Sequence, residues 1–169
     1  MDLADLLDRI ARDPDCVIFP AVGLPNMDSS HTMPEDVRAF YNHCGGLVIA
    51  RGSPYEARIV VPEKCVQANN IILGRFADVA REQQSEDPSW NWYIIAEVEN
   101  GNFLSIDFGR THNGRCYVSF DETYGLVGQM PVVAETFTVL LEHLYENKGK
   151  YWYWLEPGFR ALGDAYDAG

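Results

Sequence analysis

Leu3, Leu6, Leu7 and Ile10 fall at i, i+3, i+4 and i+7, the spacing of a helix with one apolar face. Acidic residues stand in its first turn, where the helix dipole favours negative charge, and Asp13-Pro14 ends it. Pro20 to His31 is rich in Pro, Gly, Ser and Asn and reads as a loop. A second helix is predicted from near Thr32. Thr32 and Glu35 have capping-box spacing, Pro34 suits the first turn, and Val37, Phe40, Tyr41 and Cys44 form the apolar stripe. Gly45-Gly46 then supplies a left-handed stop.

Leu47 to Arg51 and Ala57 to Val61 flank Gly52-Ser53-Pro54 and read as an antiparallel strand pair. Lys64 to Asn69 and Phe76 to Gln84 are read as short helices. Trp92 to Glu99 and Asn102 to Phe108 flank Asn100-Gly101, a dipeptide that suits a two-residue type I′ hairpin. In that register Glu97 opposes Leu104 and Ile95 opposes Ile106. Both faces of the hairpin are largely apolar, which places it centrally with cover on both sides. Cys116 to Phe120 and Leu126 to Val132 are two further strands. Phe137, Leu140, Leu141 and Leu144 mark a last helix, with Gly149 beyond its end.

Composition narrows the functional classes. The 169 residues carry 25 acidic and 13 basic side chains, a net charge of −12, and 47% are hydrophobic. That apolar content supports a core and excludes a disordered acidic tail. Nucleic acid is a poor partner, because phosphate binding needs clustered Lys and Arg and the only lysines are Lys64, Lys148 and Lys150. A basic protein partner fits the field better. No apolar run approaches the length of a membrane span, and Met1 to Asp5 lacks the positive start of a signal peptide. With Cys16, Cys44, Cys65 and Cys116 widely spaced, the expected compartment is the reducing cytoplasm, with no membrane contact.

Candidate chemistry is sparse. Glu97 and Glu99 share a hairpin face, read either as solvated charge or as part of a binding surface, while Asp107 falls among apolar neighbours. Asp107 is expected to satisfy the backbone of the loop from Gly109 to Gly114. His31, His43, His112 and His143 are scattered, so no metal or cofactor is expected. His43-Cys44 offers the one Cys–His pair, but Cys44 continues an apolar stripe and reads as packing. The aromatics are the anomaly. Trp90, Trp92 and Tyr93 form one cluster, and Tyr151, Trp152, Tyr153 and Trp154 another. Four consecutive aromatic side chains cannot all enter one core, so part of the second cluster is expected at the surface, where Trp and Tyr anchor interfaces.

Several segments together resemble the SUKH superfamily, which includes the yeast Smi/Knr-type cell-wall regulators. The first runs from Met33-Pro34-Glu35-Asp36-Val37-Arg38-Ala39-Phe40-Tyr41 to Gly45-Gly46-Leu47. Gly101 to Asp107 looks like the family's strand ending in Asp, Gly114 to Phe120 like the next strand, and Ala134 to Leu141 like its final Ser-Phe-x-x-Leu helix. The resemblance covers residues 33 to about 145 and implies a single α+β domain over 1–169, with a largely antiparallel mixed sheet flanked by helices. Residues 146–169 form an aromatic C-terminal extension outside it. It also implies a non-catalytic role, many bacterial members being immunity proteins that bind and neutralise polymorphic toxins, often nucleases.

The leading expectation is therefore a cytoplasmic toxin-binding protein that acts by steric occlusion. Its expected partner-binding residues are Trp90, Tyr151, Trp152 and Trp154 as anchors, with Glu97, Glu99 and Asp107 contributing charge. A regulatory scaffold with several protein partners is the alternative, and a small hydrolase using Asp107 or Cys44 the third. Charge steering makes a direct prediction. Added salt slows association with a basic partner, measured by stopped flow or surface binding; an on-rate indifferent to salt would count against steering.

Overall fold

The computed structural model describes residues 1–168, so Gly169, the last residue of the expected extension, lies outside it. Five helices flank a seven-stranded sheet. They are α1 (Leu3–Ala11), α2 (Glu35–His43), α3 (Ala68–Ile72), α4 (Ala77–Gln83) and α5 (Phe137–Asn147). The strands are β1 (Val17–Ile18), β2 (Leu47–Ile49), β3 (Ala57–Ile59), β4 (Trp92–Glu97), β5 (Phe103–Asp107), β6 (Cys116–Ser119) and β7 (Val132–Ala134). Strand order follows chain order and every pairing is antiparallel. The fold is α+β as expected, a meander with no parallel pair among the described strands.

The helical stripes come out as their spacing requires. Leu6, Leu7 and Ile10 of α1, Val37, Phe40 and Tyr41 of α2, and Phe137, Leu140, Leu141 and Leu144 of α5 are all buried. Phe40 meets Phe137 edge-on at 4.9 Å. The ends of α2 differ from expectation. No side chain caps it, and Thr32 instead donates its N–H to Phe108 O. Asp36 does the tying: its Oδ2 accepts from the N–H (2.8 Å) and hydroxyl (3.0 Å) of Thr138, joining the first turns of α2 and α5. Gly45 and Gly46 do not form a left-handed cap directly, because Cys44 exits in extended conformation. Their role is close approach. A Cβ on Gly45 would stand 2.3 Å from Pro20 O, and one on Gly46, at φ +118°, 2.8 Å from Ile59 O.

The central hairpin departs in register from what the two-residue turn predicts. Val98 N–H donates to Asn102 O and Asn102 N–H to Glu99 O, so the loop is Glu99-Asn100-Gly101. Glu97 pairs with Phe103 and Ala96 with Leu104. A bulge at Ile95 then shifts the ladder to Ile94–Ser105, Tyr93–Ile106 and Trp92–Asp107. A one-residue slip moves a strand's whole side-chain set to the other face. Consequently Trp92, Ile94, Glu97, Phe103, Ser105 and Asp107 share one face. Tyr117 stacks on Trp92 at 4.3 Å and Tyr124 meets it edge-on. Leu126 to Val132 does not form a strand. Gly125 and Gly128 sit at positive φ in successive turns, Leu126 and Val127 are exposed, and extension begins only at Val132.

The C-terminal segment closes the sheet. Val132 N–H donates to Gly163 O and Ala165 N–H to Met130 O, covering the outer edge of β7 that would otherwise present unpaired backbone groups. The aromatic run is resolved by a 3₁₀ turn over Tyr153–Leu155. Trp152 and Trp154 stack in parallel at 5.2 Å, with Phe120 beside both and Tyr55 against Trp152. Tyr153 points the other way, stacks on His143 and donates its hydroxyl to Val133 O at 2.6 Å. Trp152 and Trp154 are 4% and 9% exposed, whereas Tyr151 is 40% exposed. The expectation of Trp152 and Trp154 as surface anchors is therefore corrected: both are packing residues, because the tail is clasped between two surfaces.

Trp152→Ala should cost about 3–5 kcal/mol of stability, as large aromatic truncations in a core do, while Tyr151→Ala should cost less than about 1 kcal/mol. Urea unfolding of the two variants checks this; equal losses would contradict the clasped geometry.

Candidate functional site

The expected site residues fall into three places. Trp90 lies just before the six-residue β4, and Glu97 ends it, roughly 17–20 Å away. Trp90 borders a cleft of about 520 Å³ with His31, Arg81, Asn91 and Tyr93. The Arg81 guanidinium lies 4.4 Å from the centre of its ring, and the indole N–H donates to Gln84 O. Asp107 is in the interior, 2% exposed. Its Oδ1 accepts from Gly109 N–H at 2.7 Å, and its backbone pairs with Gly114 and Arg115. It holds the 109–114 loop, and burial removes it from any surface charge cluster, which corrects that part of the expected site. Trp92 Nε1, across the ladder from Asp107, has no hydrogen-bond partner although buried.

Glu97 and Glu99 come together at the opposite end, and Tyr151 stands against Tyr55 of the neighbouring loop. The β2–β3 loop and the β4–β5 loop stand side by side there because β3 pairs with β4, Arg58 directly opposite Glu97. Between them lies a groove of about 320 Å³ walled by Ser53, Pro54, Glu56, Arg58, Glu97 and Glu99. Arg58 approaches Glu56 at 3.7 Å and Lys64 approaches Glu97 at 3.5 Å. Among the described residues no cation lies within ion-pair distance of Glu99. Glu56 Oε2 accepts from Gly52 N–H at 2.8 Å, which fixes the loop. Ser53 donates its hydroxyl to Gly149 O, hooking that loop to the tail. Tyr55 then sits edge-on to both Tyr151 (5.3 Å) and Trp152 (5.0 Å). Buried Trp152 thus holds Tyr55, and Tyr55 with Tyr151 forms an aromatic rim beside the acidic groove.

Sequence reading alone missed Tyr55, Glu56 and Arg58. They stand in a turn and a short strand with no local signal, and only the β3–β4 pairing and the returning tail bring them to Glu97 and Tyr151. Chemically, such a rim suits cations: carboxylates attract Lys and Arg, and tyrosine faces accept them by cation–π contact.

Nucleophilic chemistry finds no support in the cysteines. Cys16, Cys44, Cys65 and Cys116 are all free. Burial pushes the Cys44 thiol up, and the Cys65 thiol up to about 12, the opposite of an activated thiolate. Among the described residues no three His, Cys, Asp or Glu side chains are grouped to hold a metal ion, and no helix is long and apolar enough to cross a membrane.

The seven-stranded antiparallel meander flanked by helices makes this an α+β protein. The chain belongs to the SMI1/KNR4 family (SUKH-1), whose model matches residues 29–143. It is 41% identical to the immunity protein YokJ of Bacillus subtilis (strain 168) over 167 residues, 99% of this chain and 97% of that one. No solved structure matches it. The family segment stops inside α5, but the similarity to YokJ continues through the aromatic tail.

Asp107 gives a pH prediction. Burial raises its carboxyl above the usual value, against the Gly109 N–H, which favours the charged form. The folded state therefore keeps this proton to higher pH than the unfolded chain. As pH rises from the ordinary carboxylate value through the raised one, the native protein loses stability relative to Asp107→Asn. Urea unfolding of both proteins between about pH 3.5 and 6.5 tests the sign; a difference constant across that window would refute it.

Proposed function

We propose that the chain is an immunity protein that binds a protein toxin and neutralises it by occlusion, without catalysing a reaction. Its 41% identity to an immunity protein over 99% of its length carries the reading. The toxin is a basic domain, matched by the net charge of −12, and the encounter takes place in the cytoplasm, where four free thiols persist. The contact surface is the acidic rim, with Glu56, Glu97 and Glu99 supplying charge and Tyr55 and Tyr151 supplying aromatic area. Electrostatic complementarity of this kind speeds encounter and sets orientation more than it adds raw affinity. Occlusion needs no chemistry of its own, since an inhibitor need only hold the toxin's own site against a surface that substrate cannot displace.

The test begins with a tagged chain used to capture its toxin, followed by co-expression of the two in a toxin-sensitive host. The wild-type chain should restore growth. The Glu97→Lys/Glu99→Lys double variant should associate about tenfold more slowly, because rim charges act on the on-rate, and should lose protection at limiting expression. Many substoichiometric partners without protection would favour the scaffold reading. Undiminished binding and protection by the double variant would remove the acidic rim from the interface.

A further inference from the structure

The cover over the face that carries Trp92 and Ile94 runs out toward the Phe103 end. Near Trp92 it is complete: Tyr117 stacks on the indole, Tyr124 stands against it, and Asn69 joins the cover, its side chain accepting from the Tyr124 hydroxyl. Toward the hairpin tip two hollows share Ile71, near the end of α3, which is 50% exposed. One hollow, about 310 Å³, is lined by Val66, Ile71, Ile94 and Phe103 with Glu63, Lys64 and Glu97 at its mouth. The other, about 270 Å³, shares Ile71 and Phe103 and is bounded by Asn102, Ser119 and Asp121.

The first hollow supplies the apolar floor, the second is lined mainly by polar groups, and the rim around the two is charged unevenly. Glu63, Glu97 and Asp121 surround it, against the single ammonium of Lys64, which lies 3.5 Å from Glu97. Glu97 also walls the acidic groove described above, so the two depressions share one ridge. An apolar floor with a carboxylate rim selects a particular occupant. An acidic segment would face like charge on three sides, and a purely polar basic one would leave the floor wet. A large apolar side chain flanked by Lys or Arg satisfies both parts.

We infer that the Ile71–Phe103 groove is an anchor pocket for a basic protein partner, taking one large aliphatic or aromatic side chain while neighbouring Lys or Arg residues meet Glu63, Glu97 and Asp121. This rests on the immunity reading for the identity of the partner and adds where its apolar anchor goes. Interface energy concentrates in such desolvated pockets, with charges around them excluding misfits. The pocket lies beside the acidic rim, so one docked surface reaches both.

The experiment separates the pocket from the toxin. The ¹⁵N-labelled full chain is titrated with the capped peptide Arg-Lys-Phe-Leu-Lys-Arg, with Arg-Lys-Ser-Gly-Lys-Arg and with Glu-Asp-Phe-Leu-Asp-Glu. The first peptide should give saturable amide shifts centred on Val66, Ile71, Ile94 and Phe103. Its binding should be about tenfold weaker to Ile71→Ser, the loss expected for one anchor contact. Because Ile71 is half exposed, that variant keeps the fold, which the unshifted remainder of the spectrum verifies. Equal shifts from the peptide without apolar residues, equal binding of the acidic peptide, shifts centred elsewhere, or no shifts overturn the inference. The protection assay is read alongside. A silent groove with intact protection defeats the pocket and leaves the immunity reading standing; a filled groove without protection does the reverse.

Discussion

Burial of both faces of the β4–β5 hairpin is the constraint on which the rest of the structure depends. Trp92, Ile94, Ser105 and Asp107 look one way, Tyr93, Ala96, Leu104 and Ile106 the other, and all eight are buried. A sheet apolar on both sides needs two covers. The stripes of α1, α2 and α5 join its core, with α2 fastened to α5 by Asp36 and Thr138. The face bearing Trp92 is covered by shorter pieces: Tyr117 from the sheet itself, Tyr124 from a turn-rich loop, and the five-residue α3. Short pieces cover less, and the uncovered remainder is the groove beneath Ile71.

The C-terminal segment performs two tasks with one course. Its backbone pairs along the outer edge of β7, and its tryptophans fill the end of the sheet between Tyr55 and Phe120. Through Tyr55 and the Ser53–Gly149 hydrogen bond it also sets the loop that presents Glu56 to Glu97. Functional surface and core packing are therefore continuous here. The similarity to YokJ likewise extends past the family segment into the tail.

Where apolar spacing repeats locally, reading and structure agree. α1, α2 and α5 lie over the residues their stripes mark, because a helix's buried face is set by residues three and four apart. The strand pair around Gly52-Ser53-Pro54 and the central hairpin also appear. Agreement ends where one residue decides the outcome. Asn100-Gly101 is compatible with a two-residue loop, but a three-residue loop and a bulge at Ile95 let Ala96 face Leu104 and Glu97 face Phe103. Leu126 to Val132 looks apolar enough for a strand, yet Gly125 and Gly128 turn the chain first. Of the expected anchors, Trp152 and Trp154 are inside, Trp90 stands at the far end of the sheet, and Tyr151 is exposed against Tyr55, in the loop that borders the acidic groove.

The sequence by itself determined the α+β class, the helical faces, the central place of the hairpin, the acidic field and the family. The helical faces, the hairpin and the acidic field rest on composition or on neighbours within a few positions, where the chemistry is local; the α+β class came with the family resemblance, carried by motifs spread from Met33 to Leu141. Only the tertiary structure decided which aromatics are buried, which carboxylates meet, and where the sheet is left bare. Those outcomes hang on pairings across long stretches of chain: Arg58 with Glu97, Ser53 with Gly149, Asp36 with Thr138, and the tail with β7. A tryptophan's preference for burial or for an interface is the same physical preference, removal of apolar area from water. Which surface removes it depends on what the rest of the chain brings alongside.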